Sequence, residues 1–430
     1  MIAAVIHWLL CDHQEATSGV APWGGMERDR SVALERRAVA LPRVPESLRV
    51  AWRLTWTTRA LVWAAGLAAV GIWGVSARAH DFDPAGLTSA FAPLSAPAAR
   101  WDSVWYLTIA HDGYGAPQRA AFFPLYPLLV RAGGWVLGSP LIAGVLIAMV
   151  CFVVGLAALH ELTRLELGGD AARWTVVALA LSPMSLIFSA VYSESLFLAL
   201  SCSSLLSARR GRWWWAGLLG GLAAATRSAG VVLLVPLVML AWPRRRDRRA
   251  LVLVPAGLAC FMGALALGGH SPVAPFHVQD VWFRHWAGPF GGVRDAAVAA
   301  WDGARQLLSG RREPVYFTAA GGDPFVVARM NLLLFGFLLA AVPALVGAAR
   351  RLPRAYAAYA LAALALPLSY PVGPQPLMSL PRFELVLVPL WMWFGLWLSG
   401  HPRARLPALV VSGAGLAVFS AMFSTWHWVA

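Results

Sequence analysis

Stretches of about 20 apolar residues recur along this chain, the length an α-helix needs to cross roughly 30 Å of hydrocarbon. They dominate what the chain can fold into. Hydrophobic residues make up 59% of the 430 positions, and charged residues only 13%, where a soluble domain would carry about 25%. Mean hydropathy is +0.63. The expected fold is an all-α, polytopic membrane bundle. Apolar segments fall at 60–77, 141–159, 174–191, 196–208, 213–225, 230–242, 251–268, 326–348, 356–368, 385–398 and 406–428, about eleven crossings.

The formal charge of +14 would suit a nucleic-acid binder, but its distribution does not. Arginines cluster at span ends, as at 209–212, 244–249, 350–351 and 403–405, the pattern of cytoplasmic loops rather than of a nucleic-acid face. Every strongly basic residue is Arg, which reads as codon bias of a GC-rich genome. The four cysteines have no metal-type or disulfide-framework spacing.

Residues 1–59 are expected to be a basic cytoplasmic tail, with Pro42 and Pro45 opposing a long helix. Met26 is a candidate alternative start, because residues 2–10 are too short to span and lack a basic leader. Residues 60–430 are read as one transmembrane domain with large outer loops at 78–140 and 269–325. Alternating from a cytoplasmic N-terminus puts the basic loops inside and Asp102, Glu194, Arg227 and Arg382 outside. Two ambiguous segments follow from this test. Residues 122–137 contain Pro124, Pro127 and Arg131 and would flip every later basic loop if they crossed, so they are expected to be amphipathic or re-entrant on the outer face. Residues 213–242 have two basic ends and must turn back at Thr226-Arg227-Ser228. A short helix is expected near 295–308.

Charge left at a membrane boundary is costly, and so marks a candidate site. The outer side collects Asp102, Asp112, Glu194, Arg227 and Arg382. A carboxylate within reach of a hydroxyl serves as a general base. Arginine suits phosphate, since its planar fork donates two hydrogen bonds and stays charged. Bland readings stand beside these. Asp112 precedes Gly113 and is a natural turn residue; Glu194 can serve a helix start. Trp101, Trp105 and Tyr106 fit an interfacial aromatic belt as well as a sugar-stacking role. Arg59 and Arg294 read as snorkelling anchors, and His277 and His285 as loop polarity.

The segments Arg100-Trp101-Asp102-Ser103-Val104-Trp105-Tyr106, Phe122-Phe123-Pro124-Leu125-Tyr126-Pro127, Val191-Tyr192-Ser193-Glu194-Ser195, Ala225-Thr226-Arg227-Ser228 and Ser379-Leu380-Pro381-Arg382-Phe383 follow one another in order. Together they resemble the phosphatidylinositol-glycan class V (GPI mannosyltransferase 2-like) family, in a bacterial-type form. Ala229 stands where that family often has Asn. The resemblance implies a GT-C glycosyltransferase bundle that moves mannose from a polyprenyl-phosphate donor to an acceptor hydroxyl, of a glycolipid or cell-envelope glycan, on the non-cytoplasmic face. It implies inversion at the anomeric carbon with Asp102 as base. Arg227, Arg382, Glu194, Trp101, Tyr106 and Tyr192 would contact substrate or donor phosphate, and Asp112 would be a possible second carboxylate. No cofactor is implied, and no oxygen cage is spaced for a divalent cation, so metal independence is expected. Two other classes fit the composition: a transporter or flippase of a lipid-linked sugar, and a non-catalytic subunit of a membrane glycosylation complex. A transporter would carry paired interrupted spans in its two halves, and none is evident.

Overall fold

A computed structural model describes residues 44–76, 79–242, 247–312 and 323–429. The tail to residue 43, with Met26, and the arginines at 244–246 lie outside the described residues. Those residues form helices and connecting turns, with one isolated antiparallel bridge between Arg284 and Val372. Besides two single-turn helices, Ala79–Phe82 and Ala274–His277, the α-helices among the described residues are, in chain order, α1 (Glu46–Trp73), α2 (Asp102–Asp112), α3 (Leu125–Leu137), α4 (Pro140–Leu167), α5 (Gly169–Leu181), α6 (Glu194–Arg209), α7 (Trp213–Ala224), α8 (Leu234–Ala241), α9 (Leu253–Leu267), α10 (Gly291–Ser309), α11 (Pro324–Arg351), α12 (Arg354–Ser369), α13 (Leu380–Leu385), α14 (Val388–Gly400) and α15 (Pro402–Ser424).

Among the described residues, four helical segments are each long and apolar enough to cross a membrane: α4, residues 247–267 ending in α9, α11 and α15. A fifth follows if α5 and the 3₁₀ segment Pro183–Ser189, bent by 82°, count as one span. Helix length therefore does not reproduce about eleven full crossings. Several expected spans are short: α7 has 12 residues and α14 has 13, or about 18–20 Å at 1.5 Å per residue. Helix α1 starts at Glu46, well before the expected 60, because Ser47, Ala51, Leu54, Thr58, Val62, Gly66 and Ala69 form one buried face at helical spacing. The expected break at Thr226-Arg227-Ser228 is present, between α7 and the 3₁₀ turn Ser228–Leu233. Residues 125–137 form a 13-residue helix, too short to cross alone, with Trp135, Val136 and Leu128 exposed and Tyr126 and Val130 buried.

Helix α4 is the central post, packed on α1, α3, α5 and α6. Close crossings use glycine: a side chain at Gly395 of α14 would run into Thr175 of α5. The sharp bend after α5 follows from Pro183, and it frees backbone carbonyls that hydrocarbon cannot solvate. Arg59 meets them. Its guanidinium donates to Ser185 O (2.5 Å), Ser185 Oγ (2.9 Å) and Ala180 O (3.4 Å) and lies over the Phe152 ring. Arg59 is 2% exposed, so the snorkelling role expected for it is replaced by a structural pin.

Past the bend the chain runs to Tyr192, and Val191 N donates to Ala98 O (2.8 Å). That link carries the segment before α2 alongside the segment before α6. At the far end of α6, roughly 22 Å away by helical rise, Arg209 and Tyr356 both reach Glu166, and Glu161 meets Arg164 and Arg210. The two ends of the bundle thus carry separate charge clusters.

Candidate active site

The cluster near α2 begins with a backbone contortion. Trp101 has φ 54°, a left-handed value that costs a non-glycine residue on the order of 1–3 kcal/mol. Its ring holds the turn in place, wedged against Phe82, Trp426 and Trp428 at 4.9, 5.4 and 5.0 Å between centroids. Arg100 anchors the same turn by donating to Ser424 O (3.1 Å). Asp102 then starts α2. Its backbone N–H donates to the Tyr192 hydroxyl (3.1 Å), which donates in turn to Arg100 O (3.2 Å).

Glu194 starts α6 and is fully buried, where the helix N-terminus favours a carboxylate. Its Oε1 accepts from Arg382 Nε (3.1 Å) and Nη2 (2.8 Å) and pairs with Arg227 Nη1 (2.6 Å). Arg382 comes from α13 and also donates from Nη1 to Asp102 Oδ2 (2.8 Å). Its guanidinium lies 4.8 Å from the Tyr192 ring centroid. One fork therefore joins the two carboxylates, a charge-assisted bidentate arrangement that fixes geometry as well as charge. The residue before α13, Ser379, also has a left-handed φ of 68°. Arg227 follows α7 and reaches Ser193 Oγ (3.5 Å) as well as Glu194. Tyr106 Oη shares a 2.7 Å hydrogen bond with that same Ser193 hydroxyl.

Over this cluster opens a cavity of about 200 Å³, lined by Asp102, Tyr106, Phe122, Arg227, Arg284 and Arg382 among others. Among the described residues Asp102 is the one carboxylate in its lining, with a side chain 22% exposed. Arg284, from the loop before α10, is not among the residues that the sequence singles out. It donates to Tyr370 O (3.0 Å) and Met378 O (3.3 Å) and stacks over Phe383. Burial, reinforced by neighbouring Arg382, pushes its guanidinium down to about 10, so it stays charged at neutral pH. The available signal was its setting, Trp282-Phe283-Arg284-His285-Trp286, a charge between aromatics like the one at Asp102. Three guanidiniums now face two carboxylates, leaving one positive charge over before any ligand binds.

A second, more apolar cavity of about 290 Å³ adjoins the first. It shares Phe123, Arg227, Arg284 and Phe383, and continues along Pro275, Leu366, Pro367 and Leu387.

The structure thus assembles Asp102, Glu194, Arg227, Arg382, Tyr106 and Tyr192, all expected from sequence, but in different roles. Glu194 and Tyr192 lie beneath the cavity floor and hold its lining in place. Trp101 is 6% exposed and packs in the core, so a sugar-stacking role does not fit it. Trp282 and Trp428 line the cavity instead. Asp112 is not brought in. It ends α2, about 15 Å from Asp102 by helical rise, and bonds His111 and Arg119; the His111 contact holds its carboxyl below the usual range. His277 and His285 do not line the cavity. Among the described residues no three His, Cys, Asp or Glu side chains gather as a metal site would require.

Residues 83–242 match the family model described as mannosyltransferase (PIG-V). Curated relatives align over the same order of length. GPI alpha-1,6-mannosyltransferase 2 of Cricetulus griseus is 37% identical over 147 residues, 31% of this chain and 29% of that protein. GPI mannosyltransferase 2 of Drosophila pseudoobscura pseudoobscura is 31% identical over 121 residues, 26% of this chain and 27% of that protein. The aligned stretch thus spans under a third of these relatives. Among solved structures, an archaeal oligosaccharyltransferase, AglB from Archaeoglobus fulgidus, in complex with an inhibitory peptide and a dolichol-phosphate, is 13% identical. It has a TM-score of 0.42 over 88% of this chain and 57% of that one. ArnT from Cupriavidus metallidurans bound to undecaprenyl phosphate is 15% identical, with a TM-score of 0.34 over 81% and 78%.

Proposed function

We propose, with the mannosyltransferase (PIG-V) match over residues 83–242 as the premise, that this chain is an integral-membrane mannosyltransferase of GT-C type. In this reading it takes mannose from a polyprenyl-phosphate donor and passes it to an acceptor hydroxyl on the non-cytoplasmic side. The observation that carries the reading is the cavity itself: one accessible carboxylate, Asp102, facing Arg227, Arg284 and Arg382. A glycosyl transfer from a lipid phosphate needs one base and a fixed positive site for a leaving phosphate.

Each part has a place. The donor phosphate sits at Arg227 and Arg284, where the two cavities meet, and its isoprenoid chain follows the apolar cavity past Pro275 and Leu366. Asp102 Oδ2 is held by Arg382, which leaves Oδ1 to receive the acceptor's proton. The acceptor oxygen then bonds to the anomeric carbon as the bond from that carbon to the phosphate oxygen breaks, and the phosphate departs with the electron pair. Donors already fixed where that charge grows stabilise the transition state without reorganising. With Glu194 fully buried, a single carboxylate reaches the substrate, which supports one inverting displacement over a two-step route through a covalent sugar. The arginines supply the positive charge, and transfer proceeds without a divalent cation.

The test is transfer by the purified chain in lipid nanodiscs, given radiolabelled polyprenyl-phosphate-mannose and a lipid extract as acceptor. Wild type transfers sugar in the presence of EDTA and Asp102→Asn does not. Equal transfer by both removes Asp102 as base; movement of donor across the bilayer with no new glycosidic bond means a flippase.

A further inference from the structure

Helix α13 presents two chemically different sides. Successive helical residues turn by about 100°, so positions two apart point nearly opposite ways. Arg382 faces the candidate active site. Glu384 faces away, into a separate cavity of about 190 Å³ whose walls include Pro183, Met184, Phe337, Ala341, Leu390 and Phe394. Glu384 is 8% exposed, and its Oε1 has no hydrogen-bond partner. No cation pairs with it among the described residues. A carboxyl buried without a cation beside it stays uncharged, because the charged form cannot be solvated there. A buried polar group without a partner is rare in a native protein and calls for a cause.

The surroundings narrow the cause. Two walls of the cavity come from α11 and α14, and α11 is one of the helices long and apolar enough to span a membrane. Ala340, near the middle of α11, lies in the cavity lining and is exposed, so the mouth opens where hydrocarbon would lie. Water is scarce there. Whatever enters must be apolar along most of its length and must bring a partner for an uncharged carboxyl, which both donates and accepts. A phosphate or other anion has no cation to meet in this cavity, so phospholipid headgroups and polyprenyl phosphates do not fit. A free hydroxyl does, because it accepts from the acid's O–H and donates to its carbonyl oxygen.

We propose that this separate cavity beside Glu384 is a binding site for an uncharged lipid bearing a free hydroxyl. The chain lies along Phe337, Ala341 and Phe394, and the hydroxyl exchanges hydrogen bonds with Glu384. Because Glu384 and Arg382 share one short helix, the bound lipid also braces α13 from the side opposite Asp102 and Glu194. Any effect on turnover rests on the mannosyltransferase reading, but the binding itself does not.

The test uses two photo-reactive probes, hexadecanol and hexadecane, each with a diazirine in the chain, in phosphatidylcholine nanodiscs holding the full chain. Crosslinks are mapped by mass spectrometry. In wild type the alcohol labels the segments around 337–344 and 391–394 about fivefold more than the alkane, the discrimination of one buried hydrogen bond. Glu384→Leu removes that preference while the melting temperature is kept or raised; Glu384→Gln, which can still donate and accept, retains it. Ala341→Phe fills the cavity and abolishes labelling by both probes, an independent check if Glu384→Leu folds poorly. Equal labelling by the two probes in wild type, or an alcohol preference that survives both Glu384→Leu and Ala341→Phe, overturns the proposal. Neither readout needs sugar transfer, so failure of the transferase reading and failure of this one are separable.

Discussion

The stretch that matches the mannosyltransferase model, 83–242, and the unmatched stretch after it make opposite contributions to one site. The first supplies both carboxylates, Asp102 and Glu194, and one arginine, Arg227, a net charge of −1. The second supplies Arg284 and Arg382, a net +2. Neither part alone would be stable at the cavity. Glu194 buried with one guanidinium fewer, or Arg382 without Glu194, leaves an uncompensated charge where water cannot reach it. The family model matches only the carboxylate half, and the cationic half lies outside it. The site is made by docking α13 and the Arg284 loop onto a frame built by α2, α6 and α7.

The sharpest way to break that division is at its joint. Arg382→Ala removes three hydrogen bonds from two carboxylates. It is expected to cost about 3–5 kcal/mol, as for breaking a buried pair by deleting one partner, and to abolish transfer; thermal unfolding in detergent and the nanodisc assay read both. Arg382→Lys keeps the charge but cannot bridge Asp102 and Glu194 with one planar fork, so activity should stay lost while part of the stability returns. Asp102→Asn tests the other partner. It removes a base while keeping size, so turnover should fall about 10²- to 10⁴-fold with unfolding little changed. A wild-type-like rate would mean that this carboxylate only anchors Arg382.

How much of this was legible in the sequence follows the same division. The all-helical membrane class, the break at Thr226-Arg227-Ser228 and most of the charged cluster could be seen, because hydrocarbon penalises charge and so makes each boundary carboxylate or arginine conspicuous. Roles were harder to see. Glu194 differs from Asp102 only in burial, and burial is set by Arg382 arriving from 188 residues away. Arg59 looks like an anchor in sequence because its partners are carbonyls freed by a bend 121–126 residues later, which no local pattern announces. The start of α1 at Glu46 is hidden in the sequence for a related reason. Thr55, Thr58 and Arg59 look polar in sequence but lie on the packed face. Helix length alone does not give the crossing count, because composition measures apolar length and says nothing of how often short helices break.

Arg284 sharpens the comparison from the cationic side. Its guanidinium bonds only backbone carbonyls among its hydrogen-bond partners, so Arg284→Ala strands no buried carboxylate. The effect should fall on donor binding: KM for the polyprenyl-phosphate sugar rises about tenfold or more, the value of a hydrogen bond to a charged group, with a smaller change in kcat. The pH dependence has a definite sign. Arg284 is depressed to about 10, so donor affinity should hold at lower pH and weaken as pH rises through about 10. In Arg284→Ala that alkaline limb should be gone.

The smallest effect belongs to a carboxylate that the sequence places in the same outer loop as Asp102. Asp112 shares α2 with it, but ten residues of helical rise put it about 15 Å away. It is occupied by His111 and Arg119 near the surface, with its side chain 48% exposed. Exposed pairs of this kind contribute little to stability, and salt screens them. Asp112→Asn should therefore leave transfer within about twofold of wild type and unfolding unchanged within error. A large loss would mean that the far end of α2 reaches the acceptor, and that the site extends beyond the cavity over Asp102. Asp112 then would be the second carboxylate, and a single-base displacement would no longer follow from the burial of Glu194.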